Sequence, residues 1–253
     1  MNRVSALLCA AAFCSSPFVS AADLTTLTPP PASSPEATPW AASASLGYLA
    51  VRGNTRTTSL NFKGALGRHV GRWGNILKGQ ANYAKDSNST SAQSWELGDT
   101  LRYNLTEKNY LFGAVSYTRD RFAAFPSRAS QAVGYGRQIL DTPTQMLTLA
   151  AGPGVSEQRA FDSRKWETRF MAVFDGNYVW KISDSTQFSQ LVHVEWTSLN
   201  TYVNPVTELK FTIVGNLFAT LDYEVRYNTH APAGTLHTDT LTTVNLGYGF
   251  GKF

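Results

Sequence analysis

From about residue 43 to its end, this chain alternates polar and apolar side chains in segments of about ten to fifteen residues that recur about every eighteen. A period of two is that of a β-strand, whose successive side chains point to opposite faces. Trp95, Leu97, Leu101, Tyr103 and Leu105 share one face against Ser94, Glu96, Thr100, Arg102 and Asn104, with Asp99 the one polar residue on the apolar side. The same contrast sets Leu221, Tyr223, Val225 and Tyr227 against Asp222, Glu224, Arg226 and Asn228. Such alternation also suits a soluble sandwich with a polar outside. Length argues for lipid instead: soluble strands usually run about five or six residues, whereas about ten, tilted at about 45°, cross a bilayer. Aromatics toward segment ends, as at Trp73, Tyr110, Trp180 and Trp196, suit interfacial girdles. No apolar run reaches the length of a membrane helix, so a membrane-spanning form of this chain has to be a closed sheet.

About twelve segments can be counted, at 43–51, 58–70, 73–85, 94–106, 109–122, 130–140, 145–157, 164–182, 186–199, 207–214, 216–229 and 236–251. An even number suits an all-β, single-chain antiparallel transmembrane barrel, with about ten strands as the runner-up. The ambiguity lies in the fifth and sixth segments, where Tyr110 and Phe112 compete in phase with Leu111, Val115 and Tyr117. Gly71-Arg72, Glu107-Lys108 and Ser183-Asp184 read as tight periplasmic turns, and 86–93, 200–206 and 230–235 as longer extracellular loops.

Residues 1–21 read as a cleavable export signal: Arg3 starts it, 4–13 is a short apolar run, and Val19-Ser20-Ala21 is a small-residue cleavage site. Both cysteines, Cys9 and Cys14, fall inside it, so the mature chain is expected to carry no thiol or disulfide. Residues 22–41, with Pro29, Pro30, Pro31, Pro35 and Pro39, read as an extended periplasmic linker. The barrel is then assigned to 42–253, with a periplasmic N-terminus, in the outer membrane of a Gram-negative bacterium. The closing segment puts Val244, Leu246, Tyr248 and Phe250 on one face against Thr243, Asn245, Gly247 and Gly249, and the chain ends on Phe253. That ending resembles the aromatic signal by which outer-membrane proteins engage the barrel-assembly machinery, which assigns the role to Tyr248, Phe250 and Phe253. Phe253 is out of phase with the other two.

Leu46-Gly47-Tyr48 followed by Arg52-Gly53-Asn54-Thr55, together with Asp239-Thr240 and a closing Tyr248-Gly249-Phe250, resembles the signature of a domain-of-unknown-function family usually labelled salt-induced outer membrane proteins. The resemblance covers about residue 42 to the end and implies an outer-membrane β-barrel of unsettled biochemical role, labelled by a response to salt and not by a substrate; a structural or envelope-stress role is the first expectation for this chain. Of that motif, Gly53, Asn54 and Thr55 suit a hairpin turn, since Gly and Asn accept positive φ. Their role is then structural.

Chemistry is sparse. The four histidines, His69, His193, His230 and His237, show no metal-ligand spacing on a common strand face, and no cofactor or metal is expected. His193 with Glu195 and Ser189 is the nearest approach to a nucleophile, base and orienter, so a hydrolase is the weakest of three readings. Gly134-Tyr135-Gly136 and Gly152-Pro153-Gly154 lack the strand-then-helix setting of a phosphate cradle. Alternation instead points Arg102, Arg169, Lys181, Glu195, Glu208, Lys210, Asp222, Glu224 and Arg226 at one lumen, with both signs interspersed. They either pair across the interior and fill it, or line a narrow path for small solutes or ions. A net charge of +4 over 253 residues supports no nucleic-acid partner. The expected partners are outer-membrane lipid and lipopolysaccharide.

Overall fold

The computed structural model describes residues 39–52, 56–86, 89–123, 125–159, 166–231 and 236–250. The strands are β1 (Trp40–Arg52), β2 (Arg56–Val70), β3 (Trp73–Asp86), β4 (Ser89–Asn104), β5 (Asn109–Asp120) and β6 (Ser127–Asp141). They continue as β7 (Gln145–Arg159), β8 (Trp166–Lys181), β9 (Thr186–Thr197), β10 (Thr201–Val214), β11 (Leu217–Asn228) and β12 (Thr238–Phe250). Each pairs antiparallel with its sequence neighbours, and β12 pairs with β1, so the sheet closes as a barrel. Twelve strands are the larger of the two counts the alternation allowed. The export signal, nearly all of the Pro-rich linker, the turn residues Gly53, Asn54 and Thr55, and the terminal Phe253 lie outside the described residues.

Alternation explains the two faces. Leu46, Phe62, Leu97, Phe170, Leu221 and Leu246 stand exposed on the outer wall, while Asn61, Asn82, Thr148, Asn177, Asp222 and Asn245 are buried inside. A soluble protein puts its apolar face inward, and here the apolar face is the outer one, the arrangement of a chain solvated by hydrocarbon. All six tryptophans, Trp40, Trp73, Trp95, Trp166, Trp180 and Trp196, are exposed on that wall. Trp73 packs tilted against Tyr103 at 4.8 Å near one rim, and Trp95 against Tyr117 at 5.1 Å nearer the other. Asp99, the polar exception on the outer wall, accepts a hydrogen bond from Asn75 Nδ2 at 2.9 Å.

Both chain ends of the barrel and the short turns share one rim. Two of those turns place glycine at positive φ, Gly71 at 59° and Gly215 at 55°, where a side chain would be strained. The strand ends at Asp120, Ser127, Arg159, Trp166, Asn228 and Thr238 share the opposite rim, called here the loop end. Two of the expected long loops are shorter. β3 runs to Asp86 and β4 restarts at Ser89, with a bulge at Ala84/Lys85, so the segment 86–93 is mostly strand. The segment 200–206 is the start of β10, although Pro205 has no N–H to give the ladder. Asn204 compensates: its Nδ2 donates to the Val225 carbonyl at 2.8 Å. A side-chain amide thus replaces the missing backbone donor.

Among the described residues the seam is the shortest joint. β1 and β12 share five paired positions, Ala42–Leu46 against Leu246–Phe250, whereas β7 and β8 share fifteen. Tyr248 and Phe250 sit on the outer face of this joint, opposite Ala44 and Ala42.

The phase conflict in β5 and β6 has a packing cause. Tyr110 and Phe112 point inward, while Leu111 and Val115 point to lipid, so both faces are apolar there and alternation vanishes from the sequence. The two rings lie flat over the glycines of β6. A Cβ built on Gly136 falls 2.1 Å from the Tyr110 ring, and one on Gly134 falls 2.6 Å from that of Phe112. Gly134-Tyr135-Gly136 is therefore a seat for two inward aromatics. Phe218 uses Gly247 in the same way, at 2.4 Å.

Candidate functional site in the lumen

Period-two geometry on β11 turns Asp222, Glu224 and Arg226 to one side, and closure of the sheet makes that side the interior. Asp222, 2% exposed, receives Lys63 Nζ of β2 at 2.8 Å and hydrogen bonds from Thr220, Thr243 and Asn245 at 3.0, 3.1 and 2.9 Å. Glu224 accepts from Arg226 Nε at 2.6 Å and from Asn204 Nδ2 at 3.2 Å. A buried charge is tolerated when it is paired and hydrogen-bonded, and each carboxylate has a cationic partner and at least one further donor.

The second arm of Arg226 crosses the lumen. Its Nη1 reaches Asp120 Oδ2, the last residue of β5, at 3.2 Å. β5 and β11 are six strands apart in a ring of twelve, so this pair joins opposite walls. Arg128, near the start of β6, makes a second bridge at the same end. It donates to Asn228 Oδ1 at 3.1 Å, pairs with Glu195 at 3.7 Å and lies 3.9 Å over the Tyr202 ring. Asn200, between β9 and β10, donates to Asn228 Oδ1 at 2.9 Å and accepts the His230 N–H at 3.0 Å. The loop end is thus spanned by a layer of bonded side chains.

Toward the other rim the contacts change in kind. Arg102 lies 3.6 Å over the Tyr110 ring and donates to Asn104 at 2.7 Å, and across the barrel Lys210 lies 4.6 Å over Phe218. Cation–π contact lets each cation be buried against an aromatic wall. Glu208 is buried and faces inward beside Lys210 on β10. Arg169 pairs with Glu167 of its own strand at 3.0 Å near the loop end, and Lys181 ends β8 exposed at the opposite rim. These two stand apart from the bridging network.

His193 is held between two carboxylates, Asp175 at 2.6 Å on Nδ1 and Glu195 at 3.3 Å on Nε2. Neither ring nitrogen is left to take a proton from Ser189, whose hydroxyl instead accepts from Gln187 at 3.4 Å. Ser189 and His193 stand four positions apart along the extended strand β9, so the candidate triad does not assemble. His237 turns Nδ1 to the Asn228 carbonyl at 2.8 Å, away from any shared site with His230. Among the described residues no three His, Cys, Asp or Glu side chains come together as a metal site.

Arg128 and Asp120, central to the network, are absent from the charges that alternation singled out, whereas Asp175 falls in phase with Arg169 and Lys181 on β8. Around Arg128 the inward positions are Ser130, Ala132, Gly134 and Gly136, which offer no polar contrast with the outer face. Only a long-range register identifies them.

Below the bridging layer the lumen keeps a cavity of about 370 Å³. One side of it, on β5 to β8, carries the apolar cluster with Ser116, Ser130, Asp175 and Asn177 among it, and the other carries the charges of β2, β4, β10 and β11.

Residues 44–250 match the family model described as "Protein of unknown function, DUF481". The chain belongs to that family. It is 32% identical over 213 residues to the uncharacterized protein YdiY of Escherichia coli strain K12, with 83% of each chain covered. Its fold is similar to that of the COG4313 outer membrane channel from Pseudomonas putida F1, with a TM-score of 0.50 at 10% identity over 88% of this chain and 99% of the other. At that identity the likeness is one of barrel architecture.

Proposed function

We propose that this DUF481 protein is a closed outer-membrane barrel that serves the envelope structurally, including under salt stress, rather than an open pore. The observation that carries the reading is the Arg226–Asp120 pair, which ties opposite walls together at the loop end. An aqueous path needs hydrated charges, whereas these are bonded to one another and to Asn, Thr and Tyr side chains. A lumen filled in this way stiffens the barrel against collapse and admits no free diffusion at that level. In this reading the partners are outer-membrane lipid and lipopolysaccharide, with the barrel-assembly machinery engaged through Tyr248, Phe250 and Phe253, and the N-terminus faces the periplasm.

The test is single-channel recording in planar bilayers. The native protein is expected to give no steady conductance, and the double variant Asp120→Ala, Arg226→Ala to give discrete open steps. A stable open level in the native protein refutes the closed barrel. It supports instead a narrow channel for small solutes or ions, the second reading, which the 370 Å³ cavity favours.

A further inference from the structure

Among the described residues, two polar side chains on the apolar side of the cavity have no hydrogen-bond partner. Asn177 of β8 is 3% exposed and lines the cavity, yet neither its amide oxygen nor its nitrogen has a hydrogen-bond partner. Tyr110 of β5 is 1% exposed and lines the same cavity, and its hydroxyl is likewise unpartnered. Buried polar groups are nearly always satisfied, because leaving one bare forfeits its hydration with no return.

The register brings the two together. The Tyr110 ring lies over Gly136, Gly136 pairs with Ala150, and Ala150 pairs with Asp175, two residues from Asn177 on the same face. Both groups therefore flank the floor formed by Ala150, beside Phe112, Ala132, Met171 and Val173. That floor has no part in the ion pairing, and an apolar patch across four adjacent strands is not needed to hold a polar lumen. The neighbouring charges are already engaged, Asp175 by His193 and Arg102 by Asn104 and the Tyr110 ring.

We infer that this cavity binds a small neutral molecule carrying a carboxamide-type edge on an apolar, ring-sized body. An Asn amide presents a donor beside an acceptor, and the edge complementary to it is another N–H beside a C=O. The Tyr110 hydroxyl offers a further hydrogen bond from the same cavity wall, while the body lies on the alanine, phenylalanine and methionine floor. A volume of about 370 Å³ falls within the range of small-molecule sites, at its lower end. Binding here does not depend on whether the loop end is closed.

Benzamide is the probe, with toluene and benzoate as comparators, measured by ligand-observed NMR on the full barrel in detergent micelles. Each is read against the same micelles carrying Asn177→Leu or Ala150→Phe. Benzamide is expected to bind saturably and more tightly than either comparator, to weaken at least tenfold in Asn177→Leu, and to be lost in Ala150→Phe, which fills the floor. Asn177→Leu removes a bare amide, so its heat-modifiable migration should persist undiminished. Equal uptake of benzamide by the native protein and Asn177→Leu overturns the inference, since water or detergent then suffices for the amide. So does toluene or benzoate binding as tightly as benzamide. Loss of the folded barrel in Asn177→Leu also overturns it, because the amide is then committed to the protein itself. Conductance takes no part in these outcomes, so they stand or fall apart from the closed-barrel reading.

Discussion

Removing Lys63 or Asp222 tests whether the lumen holds desolvated ion pairs or hydrated ones. The Nζ–Oδ1 separation is 2.8 Å, with side-chain exposures of 24% for Lys63 and 3% for Asp222. Breaking a buried pair by deleting one partner costs about 3–5 kcal/mol, chiefly because the survivor stays buried and uncompensated. Lys63→Met leaves the carboxylate its three donors from Thr220, Thr243 and Asn245, which places the cost at about 3 kcal/mol, the low end. Asp222→Ala lets Lys63 turn toward lumen water but strips those donors of their shared acceptor. Asn245 keeps Thr243 and Thr220 as weaker acceptors at 3.2 and 3.4 Å, so the cost is about 4 kcal/mol. The double variant should cost little more than Asp222→Ala alone, giving a coupling energy of about 2–3 kcal/mol. Urea unfolding from lipid vesicles, followed by tryptophan fluorescence, measures all three, since every tryptophan lies on the lipid-facing wall. A coupling energy below about 0.5 kcal/mol would falsify the desolvated lumen and show that water screens the pair.

The two faces of β11 should respond oppositely to charge: Leu221→Lys, on the lipid side, costs about 2–4 kcal/mol if it sits near the midplane, whereas Glu224→Gln keeps its bonds to Arg226 and Asn204 and costs less. The same unfolding assay ranks them, and a harmless Leu221→Lys contradicts the assignment of the outer wall to lipid. At the closing strand, Phe250→Ser with Phe253→Ser should lower the yield of heat-modifiable barrel by much more than twice the loss from Phe188→Ser, since burial of one phenylalanine side chain accounts for only about 1.5–3 kcal/mol. A loss of twice that or less would mean that the terminal aromatics act by burial alone and not through recognition during assembly.

Period-two patterning over segments too long for a soluble strand carried the fold class in the sequence itself. Strand β4 shows why: Trp95, Leu97 and Leu101 against Glu96, Thr100 and Arg102 admits one register, because a slip of one residue would put Arg102 into lipid. The inward direction of Asp222, Glu224 and Arg226 follows from the same rule, and so does the even strand count. Direction is a local property of a strand, set by the backbone of neighbouring residues, and local properties are written in sequence.

Partnership is not local. Arg226 meets Asp120 across 106 positions and Arg128 meets Asn228 across 100, distances in sequence that only the closure and shear of twelve strands convert into 3.2 and 3.1 Å. Tyr110 and Phe112 defeated the alternation because their inward position rests on Gly136 and Gly134 of the next strand, which leave room for a ring where any Cβ would collide. Pro205 stands within a strand for a similar reason, since Asn204 supplies the hydrogen bond that proline lacks. The bare amide of Asn177 is the extreme case. In sequence it is one more polar residue on the inner face, and only the packed lumen reveals that nothing in the described residues reaches it.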